Sequence, residues 1–212
     1  MKTRVFQSLA VLAGAIAFAA VGVAQAPQGG QGGGQRGGGQ GGGRGPQTPP
    51  LIMTTTAFED GGVIPNKYTG AAEGGMAVSP ELKWTQVPPG TQSFVLLFHD
   101  PEPVLNKGAK MDITHWLVWN IPASSTGLPE GVMQGELPDG TRQVSLRFNG
   151  YMGPGAGPGP YHHYTLELFA LDTKIDVPMG MPAQAADTRT AVFNAMEGHV
   201  LGKALIVGRF HR

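Results

Sequence analysis

The 212-residue sequence contains no cysteine. Disulfide scaffolds, zinc ribbons, cysteine nucleophiles, thioredoxin-like redox chemistry and lipidation at a cysteine are thereby excluded. Residues 1–50 contain no Asp or Glu, so the overall balance of 15 basic to 15 acidic residues is a sum of unlike parts. From Leu51 to Arg212 the count is 11 basic to 15 acidic, a formal charge of −4. A domain of that sign has no basic stripe to neutralise nucleic-acid phosphates and no polybasic patch for an anionic membrane surface. The sequence also lacks a G-x-x-x-x-G-K-[ST] phosphate loop, an H-E-x-x-H metal helix and a G-x-S-x-G nucleophile elbow.

What is present divides into three segments. Lys2 and Arg4 precede an uncharged stretch from Val5 to Ala24, and Ala24-Gln25-Ala26 forms a small-x-small cleavage pattern before Pro27. Residues 1–26 therefore read as a secretory signal. The alternative is an uncleaved anchor, since about 20 uncharged residues can span a bilayer. The Ala/Gly-rich composition and the absence of a positive stop-transfer flank favour cleavage. A periplasmic or secreted protein with no membrane span after cleavage is expected. Residues 27–50 hold 12 of the 34 glycines, with Gln, Pro and two arginines. With no apolar side chains to offset ordering entropy, this segment reads as a disordered tether spanning roughly 25–30 Å.

Residues 51–212 are enough for one domain with its own core. Short apolar runs between frequent Gly and Pro predict an all-β fold: Leu51–Phe58, Ser93–His99, Thr114–Ile121, Gln143–Phe148, His163–Leu171 and Ala204–Phe210. Runs such as His115-Trp116-Leu117-Val118-Trp119 are apolar on both faces, which suits a strand covered on each side. One C-terminal helix is predicted over Asp187–Val200, where Ala191, Val192, Ala195, Met196 and Val200 recur at three- and four-residue spacing and Asp187 or Thr188 can cap the start. Trp84, Trp116 and Trp119 read as core packing.

All six histidines fall in this domain. Asp100 and Glu102 follow a strongly apolar strand, His115 opens another on the face of Leu117 and Trp119, and His162 opens a third, alternating with Tyr164, Leu166 and Leu168. Each therefore sits at a strand end beside a Gly/Pro-rich turn, where convergence at one mouth is open to the fold. Arg147, Arg209 and Arg212 read as surface or strand-end residues.

The runs Ser79-Pro80-Glu81-Leu82-Lys83-Trp84, Ser93–Glu102 and His115-Trp116-Leu117-Val118-Trp119-Asn120-Ile121-Pro122 resemble the phosphatidylethanolamine-binding protein family, in its bacterial Raf-kinase-inhibitor-like (YbhB/YbcL-type) branch. So do Gly150-Tyr151-Met152-Gly153-Pro154 and His162-His163-Tyr164. The likeness covers about Thr54 to Arg212. It implies two packed antiparallel sheets with short helical turns, and a small anion pocket at one end. By position it assigns Asp100, Glu102, His115, Gly153, Pro154 and His162 to ligand binding, with no catalytic residue, no metal and no cofactor. A carboxylate beside the imidazoles is expected to orient them and raise their pKa. The sequence departs from the family pattern at Glu102, at Val104, in an insert-like Asn106–Met111, at His163 and in the missing Pro-Pro pair of the second segment.

The ligands implied are small phosphate-bearing or carboxylate anions, including a phospholipid headgroup. A regulated protein partner and a homodimer stay open. Two alternatives stand beside this binding function: an interaction or inhibitor protein with a vestigial pocket, and a metal-dependent hydrolase built on Asp100, His115 and His162.

Overall fold

The computed structural model describes residues 49–103, 107 and 111–212. The expected signal, nearly all of the tether, Val104 and most of the insert before His115 lie outside the described residues. Along the chain the strands are β1 (Ile52–Thr54), β2 (Gly62–Val63), β3 (Leu82–Thr85), β4 (Ser93–Asp100), β5 (Ile113–Pro122), β6 (Gly127–Leu128), β7 (Arg142–Val144) and β8 (His162–Leu171), then helix α1 (Ala185–Ala195) and strand β9 (Val200–Phe210). Short 3-10 turns occupy Asn66–Tyr68, Glu73–Gly75 and Pro182–Gln184.

The strands form two sheets, one ordered β1-β3-β6 and the other β2-β9-β8-β4-β5-β7. Pairing is antiparallel throughout except for the two-residue edge pair β2–β9, which is parallel. The fold is mainly β, with two sheets, a C-terminal helix and short helical turns.

Doubly apolar β4 and β5 are explained by what covers the large sheet. On one face Phe94, Leu96, Phe98, Trp116, Val118, Tyr164, Leu166 and Leu168 pack against Met53, Leu82, Trp84 and Leu128 of the small sheet. On the other, Val95, Leu97, Leu117, Trp119 and Leu171 pack against Val192 and Met196 of the helical region and against Ile175 and Val177. All three tryptophans are buried, as their sequence context predicts.

The helix departs from its predicted bounds. It ends at Ala195, and Val200 starts β9 instead, exposed at the sheet end. Neither Asp187 nor Thr188 caps it; Gln184 holds the N-cap position without a side-chain bond, and Thr188 is buried on the inner face. The preceding 3-10 turn supplies the entry into the helix and moves its start upstream of the first capping side chain. Among the described residues no helix is long and apolar enough to cross a membrane.

Candidate functional site

Two irregularities interrupt the β4–β5 ladder. In the first, Phe94 pairs with Ile121 but Leu96 pairs with Val118, so β5 carries one extra residue. Asn120 takes the strain there at φ 58°, a conformation its short polar side chain tolerates. Its side chain exchanges hydrogen bonds with the backbone of Ile175, donating to the carbonyl at 2.9 Å and accepting the N–H at 3.0 Å.

The second irregularity builds the site. Phe98 pairs with Trp116 and His99 with Thr114, leaving His115 as the extra residue. A bulge re-aims a side chain, because it resets the alternation of faces. His115 accordingly leaves the face of Leu117 and Trp119, where simple alternation predicts it. Its ring lies instead 5.6 Å from that of Phe98 and, edge-on, 5.1 Å from that of Tyr164.

Those aromatic groups belong to the opposite face, whose end opens into a cavity of about 740 Å³. Asp100, His115, Gly153 and His162, all predicted from sequence, line it together with Tyr151 and Tyr164. Four of the six expected residues are thus brought to one mouth. Pro154 is buried behind the wall, and its carbonyl accepts the Gly70 N–H at 2.7 Å. Glu102 stands beside the cavity, joined to it through the histidines.

Asp100 organises the polar side. It is only 2% exposed. Its Oδ2 lies 2.8 Å from His162 Nδ1, and its Oδ1 accepts the Glu102 N–H at 3.1 Å. Glu102 is held in turn by His163, which donates its N–H to Oε2 at 2.8 Å and sets Nδ1 3.1 Å from Oε1. Burial pushes the Glu102 carboxyl up, but these His163 bonds outweigh it and hold the group below its ordinary value.

His115 behaves differently from the expectation. It is 3% exposed, and its Nδ1 donates to the Met152 carbonyl at 2.9 Å. Burial lowers its pKa, prevailing over the Met152 and Gly153 carbonyls and the charge of Asp100, all of which pull upward. The predicted upward shift is therefore reversed, because desolvation of the imidazolium is the largest effect. Tyr164 is driven upward by burial and then by Asp100, so it remains a neutral phenol whose oxygen accepts the Ala156 N–H at 3.1 Å.

Gly153 admits the close approach of the wall to the segment before β3. A Cβ at this position would lie 2.5 Å from that of Ala77 and 2.8 Å from the Thr69 carbonyl carbon. Arg147 and Arg212, expected at the surface, line the cavity as well. Arg212 donates to the Gly70 carbonyl at 3.0 Å. Sequence pattern marks neither arginine, because their placement depends on the turn after β7 and on the pairing of β9 with β8. Tyr164, by contrast, is marked by its alternation with His162.

The donor set expected for a hydrolase does not form as such. Asp100, Glu102 and His162 bring one donor atom each within 4.8 Å of one another, and His115 is not part of that group. His99, next to Asp100, faces the other side of β4, with Nδ1 2.6 Å from Asp112 Oδ2. His199 pairs with Asp172 at 2.7 Å, and neither residue lines the cavity.

A large sheet covered on one face by a smaller sheet and on the other by a helix, with a histidine-lined cavity at its strand ends, defines a mainly β ligand-binding module. The chain belongs to the phosphatidylethanolamine-binding protein family, whose model matches residues 54–211. A UPF0098 protein of Methanothermobacter thermautotrophicus is 39% identical over 163 residues, covering 76% of this chain and 98% of that protein. The UPF0098 protein YbhB of Escherichia coli is 37% identical over 128 residues, covering 57% and 78%. Among solved structures, a phosphatidylethanolamine-binding protein homologue of Chlamydia trachomatis superposes with a TM-score of 0.62 at 26% identity, covering 77% of this chain and 98% of its own. YbcL of Escherichia coli gives 0.61 at 26% identity, covering 76% and 98%. Family membership makes this a binding protein of that type, and its members are typically non-catalytic.

Proposed function

We propose that the protein is an exported binding protein that takes a small phosphate-bearing or carboxylate anion, a phospholipid headgroup among them, in the cavity between His115 and His162. The observation carrying this reading is that two exposed arginines, Arg147 and Arg212, are among the residues lining a cavity in an otherwise acidic domain. Among the described residues neither has a carboxylate partner within ion-pair distance, whereas Arg142 and Arg189 do. A planar guanidinium matches a phosphate or carboxylate with two parallel donors. Asp100, on the same lining, is engaged by His162 and by the Glu102 N–H.

A protein partner is the second reading. It is favoured by Met76, Leu146 and Phe148, exposed apolar side chains that also line the cavity.

The test is a thermal-shift titration with inorganic phosphate and with phosphoethanolamine. Both should raise the melting temperature of the wild type, and the shift should vanish in His162→Ala and fall in Arg147→Ala. Arg147→Ala is expected to weaken phosphate binding roughly 5-fold, equivalent to about 1 kcal/mol. Equal shifts in the wild type and both variants would remove the cavity from the reading.

A further inference from the structure

Two carboxylates stand at the side of a cavity proposed to receive an anion. Asp100 is buried and Glu102, one residue beyond Pro101, is half-exposed. An arriving phosphate therefore meets negative charge on that side, which the two arginines offset only from their own positions.

The arrangement of donors supplies a resolution. His162 Nδ1 is the common vertex, 2.8 Å from Asp100 Oδ2 and 3.9 Å from Glu102 Oε2. Tetrahedral zinc, with bonds of about 2.0–2.2 Å, sets its donor atoms roughly 3.3–3.6 Å apart. The two observed separations straddle that value. Closing around an ion needs only a small opening at Asp100–His162 and a small approach by Glu102, whose side chain is 40% exposed.

The carboxylates are also held from behind. The Glu102 N–H fixes Asp100 through Oδ1, leaving Oδ2 toward His162. His163 orients Glu102 through both its backbone and its ring. Outer hydrogen bonds of this kind preset ligand orientation in metal sites. One imidazole with two carboxylates suits a borderline divalent ion such as zinc better than magnesium or calcium, which prefer oxygen alone. His115 lines the same cavity with its Nδ1 committed to Met152, outside the donor set.

We propose that Asp100, Glu102 and His162 form a zinc-type divalent-cation site beside the cavity, whose open coordination position takes one oxygen of the bound anion. The cation cancels the two carboxylate charges and turns the acidic side of the cavity into an anion-attracting one. The second half of this proposal rests on the anion reading above; the cation site itself does not. No covalent step is involved, since binding exchanges the proton or hydrogen bond at His162 Nδ1 for the metal.

The experiment is calorimetric titration of the full, chelator-treated chain, carrying no polyhistidine tag, with zinc chloride alone. One equivalent should bind. Glu102→Gln and His162→Gln should each weaken it at least 10-fold, while His199→Gln, which alters the surface pair with Asp172, should bind as the wild type does. Unchanged melting temperatures would exclude misfolding as the cause, and Glu102, being half-exposed, is the substitution least disruptive to folding.

A second titration, with inorganic phosphate, should show at least 10-fold tighter binding to the zinc-loaded than to the zinc-free protein. Absence of zinc binding, or undiminished binding by Glu102→Gln and His162→Gln, overturns the cation site even if phosphate binds the zinc-free protein. Zinc bound through these residues with no phosphate bound in either form supports the site and overturns the anion reading and the bridging role together. Phosphate bound equally with and without zinc overturns the bridging role alone.

Discussion

Asp100 Oδ2 and His162 Nδ1 lie 2.8 Å apart although 62 residues separate them in the chain. The pair exists because β4 and β8 are antiparallel neighbours, with His99 opposite Thr165, so the end of one strand meets the beginning of the other. It is the junction on which the polar side of the cavity is built.

Removing that junction should cost stability. Asp100→Ala deprives both His162 and the Glu102 N–H of a buried acceptor and is expected to lower the unfolding free energy by about 1.5–3 kcal/mol. Asp100→Asn fills the same space and retains an acceptor oxygen, so it should cost less. Urea unfolding at neutral pH measures both. Equal losses would show that the charge of the carboxylate, not its shape, sets the cost.

Acid sensitivity should trace in part to His115. Burial holds its folded-state pKa below the ordinary 6.5 despite the upward pull of Met152, Asp100 and Gly153. The unfolded chain then binds the proton more tightly, so this contribution to stability is complete above about pH 6.5 and is lost as pH falls toward the folded value. Melting temperatures taken from about pH 8 down to about pH 5 should fall more steeply for the wild type than for His115→Gln. Parallel curves would assign the acid loss to other groups.

Gly153→Ala tests the wall. The added methyl would meet the Ala77 Cβ at 2.5 Å and backbone carbons of Thr69 at 2.8 and 2.9 Å, and Thr69 is fully buried. A destabilisation of about 1–3 kcal/mol is expected from such overpacking. Pairing it with Ala77→Gly removes the nearest clash and should recover part of the loss in thermal unfolding. No recovery would place the strain at Thr69 alone.

Much of the site is legible in the order of the amino acids. His162 and Tyr164 share a face through simple alternation, and both line the cavity. Asp100 at the end of an apolar run and Gly153 in a Gly/Pro turn likewise lie where pattern and family likeness suggest. Arg147 and Arg212 are not legible in this way, because no local pattern distinguishes a surface arginine from one carried to a cavity by its neighbours. The helix boundary differs from its predicted place for a related reason. Val200 continues the helical spacing in sequence, but its pairing with Leu171 makes it the first residue of β9.

Sequence by itself determined the composition-level exclusions, the mainly β class, the doubly covered central strands and the family. All of these rest on residue type and short-range periodicity, which survive any rearrangement of the chain in space. Only the tertiary structure decided which way His115 points. Strand alternation places it with Leu117 and Trp119, on the helix side, yet one unpaired residue opposite the Phe98–His99 step turns it into the cavity. A bulge is a relation between two strands, set by the hydrogen-bond register of β5 against β4. The face on which a histidine emerges is fixed only when that register is made, and here it separates a core residue from a member of the site.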